Sequence, residues 1–210
     1  MNTPTKITVS RIVMIVVMLI GLFTLSFIDI GNQGALMLGN TKIYLIDFIV
    51  MWLFIVASFT DFLDGYLARK NNQVTDLGKF LDPIADKLLI NSIVIFLIVP
   101  ASYAQGQIGL SIWCAILLVA RDIVVDALRF IAAQKGVVIA ANIFGEMKTV
   151  LEMVAVIFVL LNGFPFSYFD ASWPKGLRIT DWFVYLATFM SLLSGFIYVI
   201  QNRNVLKEEK

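Results

Sequence analysis

Four aspartates separated by short, fixed intervals are the residues of this chain best suited to do chemistry. They lie at the end of one apolar stretch and near the start of the next, at Asp61, Asp64, Asp82 and Asp86. In a helix, positions 61 and 64 share one face, and so do positions 82 and 86. A carboxylate near the centre of a bilayer costs about 2.5–3.5 kcal/mol, so four of them in so apolar a chain indicate a functional site. Two helices facing each other are predicted to bring these carboxylates to one point.

The chemistry open to this site is limited because the chain has no histidine and only one cysteine, Cys114. A histidine base, imidazole zinc ligands, a Ser-His-Asp triad and an intrachain disulfide are therefore excluded. Carboxylates are hard oxygen ligands, which favour magnesium, manganese or calcium. Two metal ions about 3.5–4 Å apart can clamp a diphosphate and stabilise displacement at phosphorus. We therefore predict Asp61, Asp64 and Asp82 as ligands of Mg²⁺ (or Mn²⁺), bound as two ions; the alternative is mutual salt bridging with nearby lysines and arginines.

Small residues and one arginine accompany the first pair of aspartates. Gly65 and Ala68 lie on the same helix face as the aspartates and lack bulk, so a nucleotide can approach the backbone there. Arg69 follows Gly65 by one turn, where its planar guanidinium is predicted to hold a phosphate.

The elements that must position these residues are apolar helices. The chain has 210 residues, 60% of them hydrophobic, and a mean hydropathy of +0.88, outside the range of soluble domains. Proline and polar residues break one long uncharged stretch at 100–107, so the apolar stretches predict six transmembrane helices. We predict an all-α integral membrane protein with a short interfacial segment at residues 1–10 and a single domain over residues 1–210. The helices after the first include segments at about 43–69, 109–133, 144–161 and 180–202.

The distribution of basic residues predicts the orientation. Of the 16 lysines and arginines, 13 fall on one side of the predicted membrane helices. The loops on the other side contain only Lys42, Lys175 and Arg178. The positive-inside rule then places both termini and the aspartate motif on the cytosolic side of the cell membrane, in a multi-pass protein. The net charge of +1 argues against a nucleic-acid partner.

Four cations lie near the predicted cytosolic ends of helices four and five. Together they can form an anion pocket for a phosphorylated alcohol, and they are Arg121, Arg129, Lys135 and Lys148. The alternative role for such residues is anchoring to lipid headgroups. Asp122 and Asp126 are expected to pair with Arg129 along one helix face rather than to bind metal. Ser191-x3-Gly195 fits the small-residue pattern of packed helices.

Written by spacing, the aspartate motif is D-x2-D-G-x2-A-R-x8-G-x3-D-x3-D, running from Asp61 to Asp86. It resembles the signature of the CDP-alcohol phosphatidyltransferase family at all eight fixed positions. The segments PTKITVSR at 4–11, Arg121-Asp122 with Leu128-Arg129, and GEMKT at 145–149 also resemble segments of a branch that uses glycerol 3-phosphate. Two positions depart from that pattern, with Thr5 in place of asparagine and Glu146 in place of lysine.

The resemblance implies an activity and further residue roles. The expected reaction transfers the phosphatidyl group of CDP-diacylglycerol, held in the membrane lipid, to sn-glycerol 3-phosphate, giving phosphatidylglycerophosphate and CMP. Asp86 is then expected to join the second metal ion and to accept the proton of the attacking hydroxyl. The family's CDP-diacylglycerol contacts map onto Thr75 and onto residues 4–8, including Thr8. A homodimer is also implied.

Other functions stay open. Within the family, inositol phosphate, serine or phosphatidylglycerol can be the acceptor. A membrane prenyltransferase also uses aspartates, magnesium and diphosphate, although its two motifs are usually further apart. A divalent-cation transporter would place its aspartates near the middle of the membrane, whereas here they are predicted at one face.

Overall fold

The fold is mostly helical, as the hydropathy pattern predicts. A computed structural model describes residues 3–27, 34–70, 76–98, 107–137, 139 and 143–203, with the side chains of residues 3–4, 25–27, 62–70, 76–77 and 79 left aside. Within these residues six helices have 18 residues or more: α1 (Thr3–Phe27), α2 (Leu45–Lys70), α3 (Asp76–Phe96), α4 (Ile112–Gln134), α5 (Ile143–Leu160) and α7 (Ile179–Gln201), with the short α6 (Ser167–Asp170) before the last. The bounds of α2, α4, α5 and α7 agree within a few residues with the predicted segments, while α1 runs without a break from Thr3 through residues that were predicted as a short interfacial segment.

A small antiparallel hairpin precedes α2, and an all-α prediction does not include it. Its strands are β1 (Ala35–Leu38) and β2 (Thr41–Tyr44), with Leu38 opposite Thr41. The two-residue turn begins with Gly39 at φ +61°, a conformation that glycine adopts without strain. The strands have four residues each, too short for a clear alternating pattern in the sequence.

The chain divides into two compact units, and the prediction of a single domain over residues 1–210 stays a prediction. The first unit comprises Met1–Gly109 with Leu160–Phe164. Its core is built by α1, α2 and α3, with Ile15, Phe54 and Ile93 almost fully buried. Asn162 joins the segment Leu160–Phe164 to the main part of this unit. Its side chain accepts a hydrogen bond from the Ile108 N–H (2.9 Å) and donates one to the Lys42 carbonyl (3.0 Å).

The second unit comprises Leu110–Val159 and Pro165–Lys210, in which α4 packs along α7. Two carboxylates fix the start of α7. Asp181 accepts hydrogen bonds from the N–H groups of Gly176 (2.9 Å) and Arg178 (3.0 Å), and Asp170 accepts one from Ile179 (2.7 Å). These N–H groups have no partner within the helix, so both carboxylates satisfy donors that would otherwise be lost.

Two of the described helices are long and apolar enough to cross a bilayer. The segments are Thr5–Thr24, with a mean hydropathy of 2.3, and Ile179–Gln201, with 2.0. About 20 apolar residues span the hydrocarbon core, so both meet that requirement. Together with the apolar composition they support the predicted membrane location, while the count of six spans and the orientation stay predictions.

Candidate active site

One face of α1 is buried and polar at its start, then buried and apolar. Thr5, Thr8 and Arg11 are almost fully buried, and the same face continues through Ile15 and Met18. The spacing of three and four residues places all five on one side of the helix. Buried polar side chains in folded proteins are hydrogen-bonded, so this polar start of α1 must face polar partners.

Arg11 finds its partner in the first aspartate of the motif. Its Nη1 donates to Oδ1 of Asp61, which lies near the end of α2. The Arg11 side chain is 1% exposed and the Asp61 side chain 42% exposed. The ion pair therefore has a fixed, buried cationic end and a carboxylate that solvent or substrate can reach.

Thr8 contacts the other half of the motif. Its hydroxyl donates to Oδ1 of Asp82 on α3 over 2.9 Å. Since Thr8 and Arg11 are one turn apart, a single turn of α1 contacts one carboxylate from each half of the motif. Thr8 was predicted to contact CDP-diacylglycerol; the contact described for its hydroxyl is with Asp82.

Asp86 lies one turn after Asp82 on α3, and both residues are partly exposed. Ala85 between them is fully buried, so the face of α3 that carries it packs inside the first unit. Pro83, inside α3, has no N–H, so the helix lacks the hydrogen bond from position 83 to the carbonyl four residues earlier.

The structure describes no side chain for the other predicted contacts to metal and CDP-diacylglycerol. The structure describes only the helical backbone for the part of α2 that carries Asp64, Gly65, Ala68 and Arg69. Thr75 lies outside the described residues. Among the residues whose side chains the structure describes, no group of three His, Cys, Asp or Glu residues could hold a metal ion. Asp64 is not one of those described residues. The donor types nevertheless fit a hard divalent ion, because Asp61, Asp82 and Asp86 offer only carboxylate oxygens at partly exposed positions.

In the second unit, two of the four predicted acceptor cations join a buried charge cluster, formed by Arg121, Asp122, Lys148 and Glu152. The Lys148 Nζ donates to Oδ1 (2.9 Å) and Oδ2 (3.1 Å) of Asp122 and lies 2.5 Å from Oε2 of Glu152. The Arg121 Nη1 donates to the same Asp122 Oδ1 over 3.0 Å. The two cations and two anions balance, as buried charges require.

The members of the cluster differ in how far they reach the surface. The side chains of Lys148, Asp122 and Glu152 are 3%, 1% and 2% exposed, whereas that of Arg121 is 10% exposed. Two further contacts come from α7: Arg121 Nε donates to the Ser191 carbonyl (3.2 Å) and Nη2 to the Ser194 hydroxyl (2.7 Å).

The other two predicted cations lie further along α4, outside this cluster. Arg129 is exposed; its Nε donates to the Tyr198 hydroxyl (3.0 Å), and the guanidinium lies 5.4 Å from the centre of that ring. Lys135 is exposed at the C-terminal end of α4. The expected pairing of Arg129 with Asp122 is replaced by the contact of Arg129 with Tyr198, while Asp122 binds Arg121 and Lys148.

Several partners of these residues were not predicted. Arg11, Glu152, Ser194 and Tyr198 each contact a residue of the predicted site. Only Glu152 carried a usable signal, because it follows Lys148 by four residues in a helix. The others depend on how separate helices face each other.

The chain belongs to the CDP-alcohol phosphatidyltransferase family, whose model matches residues 1–193.

Individual relatives share the reaction printed in their names. A CDP-diacylglycerol–glycerol-3-phosphate 3-phosphatidyltransferase of Bacillus subtilis is 38% identical over 207 residues, covering 98% of this chain and 97% of that protein. A protein of the same name from Mycoplasma genitalium is 37% identical, covering 88% of this chain and 72% of its own length. A third from Rickettsia felis is 32% identical, covering 94% and 93%.

Proposed function

We propose that this protein transfers the phosphatidyl group of CDP-diacylglycerol to sn-glycerol 3-phosphate, forming phosphatidylglycerophosphate and releasing CMP. The observation that carries the proposal is the match, over nearly the whole chain, to relatives named for this reaction. The intact aspartate motif supports it, because all eight fixed positions of the family signature are present between Asp61 and Asp86.

The aspartates supply the chemistry at phosphorus. Asp61, Asp64, Asp82 and Asp86 would hold two Mg²⁺ or Mn²⁺ ions, which neutralise charge on the diphosphate and stabilise in-line displacement. Asp86 takes the proton from the acceptor hydroxyl, whose oxygen forms a bond to the phosphorus that carries diacylglycerol. The bond from that phosphorus to the oxygen of CMP breaks, and CMP leaves with the electron pair. Positioning provides most of the rate in phosphoryl transfer, so an ordinary carboxylate suffices as base.

The motif's remaining residues hold the nucleotide. Gly65 and Ala68 leave room beside the helix, Arg69 binds a phosphate, and Thr75 contacts the cytidine diphosphate. Thr8 contributes through Asp82, because its hydroxyl holds Oδ1 of that carboxylate in place.

The acceptor phosphate requires cations, and the four predicted ones take different parts. Arg129 and Lys135 are exposed, and the Arg121 side chain is the most accessible of the charge cluster at 10% exposed, so these three cations bind the phosphate directly. Lys148 acts through Asp122, since its ammonium group is buried against two carboxylates. Charge-assisted hydrogen bonds to a phosphate contribute about 1.5–3 kcal/mol each, so loss of Arg121 should raise the apparent acceptor constant about ten- to a hundred-fold.

The proposed setting is a cell membrane, crossed six times, with both termini and the aspartates on the cytosolic side, in a homodimer. The lipid tails then stay in the bilayer while CMP leaves into the cytosol. The asymmetry of basic residues supports this orientation, and the two apolar spans support the membrane location. The homodimer rests on the resemblance to the family alone.

Purified protein, CDP-diacylglycerol and a panel of acceptors test the proposal. CMP release should be fastest with glycerol 3-phosphate, should stop on chelation, and should be lost in Asp61→Asn and Asp82→Asn. Faster release with serine, inositol phosphate or phosphatidylglycerol would change the acceptor and leave the family reaction standing. Reaction of an isoprenyl diphosphate instead, or metal flux across vesicles without CMP release, would replace the proposal.

A further inference from the structure

We propose that Ser194 and Gly195 on α7 are positioning residues that set the guanidinium of Arg121 for the acceptor phosphate. The inference deepens the proposed function and rests on it. It gives a role to the Ser191-x3-Gly195 pattern, which the sequence alone presents as ordinary small-residue packing.

The first observation is the hydrogen bonding of Arg121. Each of its three nitrogens has one described acceptor: Nε has the Ser191 carbonyl, Nη2 the Ser194 hydroxyl, and Nη1 a carboxylate oxygen of Asp122. A guanidinium has five N–H donors in one plane, so these three contacts fix the direction of the remaining two. A planar fork held in this way is suited to binding two phosphate oxygens at once.

The second observation is steric. A Cβ atom at position 195 would lie 2.8 Å from Cγ of Arg121 and 3.4 Å from its Nε. The first distance is shorter than any normal contact, and Cγ is near the backbone, where the side chain has little freedom to move. Glycine at 195 therefore lets the Arg121 side chain lie flat on α7, and any other residue must push it away.

The third observation is the fixed anion on the other side of the guanidinium. Asp122 is held by both of its oxygens on Lys148, and Lys148 is held in turn by Glu152. Asp122 therefore cannot follow Arg121 if the arginine is displaced. A shift forced by position 195 would break the Asp122 contact and change the direction of the two remaining N–H donors.

Gly195→Ala tests the inference, with Gly21→Ala as its matched control. Gly21 also lies in a helix, α1, and a Cβ atom there meets nothing within 4 Å. We expect Gly195→Ala to raise the KM for glycerol 3-phosphate about five- to twenty-fold, a part of the loss of one charged hydrogen bond. The KM for CDP-diacylglycerol should change less than about twofold, and Gly21→Ala should leave both constants at parent values.

Ser194→Ala is the second variant, and it keeps the test decisive if Gly195→Ala does not fold. It removes the acceptor of Nη2 without adding bulk, so the KM for glycerol 3-phosphate should rise about three- to tenfold. In an Arg121→Ala background, either α7 substitution should have no further effect on that constant, because both act through the arginine.

Two different failures can be told apart. If the parent protein releases no CMP with glycerol 3-phosphate, the proposed function is wrong. If the parent is active but both α7 variants keep its KM for glycerol 3-phosphate, or raise both KM values equally, the positioning role is wrong and the proposed function stands.

Discussion

Replacing Lys148 with methionine should destabilise the protein strongly, because it leaves two buried carboxylates with less positive charge. The Lys148 ammonium lies within 3.1 Å of both Asp122 oxygens and 2.5 Å from Glu152, and all three side chains are at most 3% exposed. Removing one partner of a buried ion pair costs about 3–5 kcal/mol. For a chain of this length about 2–4 °C is lost per kcal/mol, which gives a fall in Tm of about 6–20 °C.

Thermal unfolding of the detergent-purified protein, followed by tryptophan fluorescence, measures this effect. Lys175→Met is the matched control, because Lys175 is exposed in the same unit and should change the free energy of unfolding by about 0.5 kcal/mol or less. The double variant Lys148→Met with Glu152→Gln leaves one cation and one anion, so it should recover about half or more of the lost stability.

The result that would refute this reasoning is a Tm for Lys148→Met equal to that of Lys175→Met. Lys148 would then contribute little to the buried charge cluster. A tenfold or larger rise in the KM for glycerol 3-phosphate in that same stable variant would make Lys148 a direct phosphate ligand.

Three further predictions concern the site. Thr8→Val should weaken Mn²⁺ binding, measured by calorimetry, about tenfold or more, because it removes a hydrogen bond that orients Asp82. Thr8→Ser keeps a hydroxyl and should retain the Mn²⁺ affinity. Unchanged Mn²⁺ affinity in Thr8→Val with a raised KM for CDP-diacylglycerol would favour a nucleotide contact instead. Asp86→Asn should lower kcat about 100- to 10,000-fold while CDP-diacylglycerol still binds, and near-normal turnover would contradict its role as base. Arg129→Ala should raise the KM for glycerol 3-phosphate about tenfold in CMP-release assays, whereas an unchanged KM would assign Arg129 to its contact with Tyr198 alone.

The long helices could be predicted from the sequence because apolar length alone defines them. The predicted segments at 43–69, 109–133, 144–161 and 180–202 correspond to α2, α4, α5 and α7 within a few residues. The hairpin at 35–44 could not be predicted from apolar length, because its strands have only four residues each. The sequence signal for it was the Gly39-Asn40 pair between two short runs, a two-residue turn typical of hairpins.

The site could be predicted in its residue types and only partly in its contacts. The sequence shows which carboxylates and cations share a helix face, but it does not show which other helix supplies the hydrogen-bond partner of each side chain. Arg11 and Asp61 are far apart in sequence, and so are Arg121 and Ser194, and both pairs form only when separate helices pack together. The four predicted acceptor cations accordingly divide into two cluster members and two exposed residues, a division that burial determines and sequence does not.

The most direct test of the central claim follows the phosphorus of the acceptor. Purified protein is incubated with CDP-diacylglycerol, Mg²⁺ and ³²P-labelled glycerol 3-phosphate, and the label in the lipid phase is compared with the CMP released. The proposed reaction predicts one label in phosphatidylglycerophosphate for each CMP, with neither formed by Asp61→Asn. CMP release without label in the lipid, or at the same rate without glycerol 3-phosphate, would contradict it.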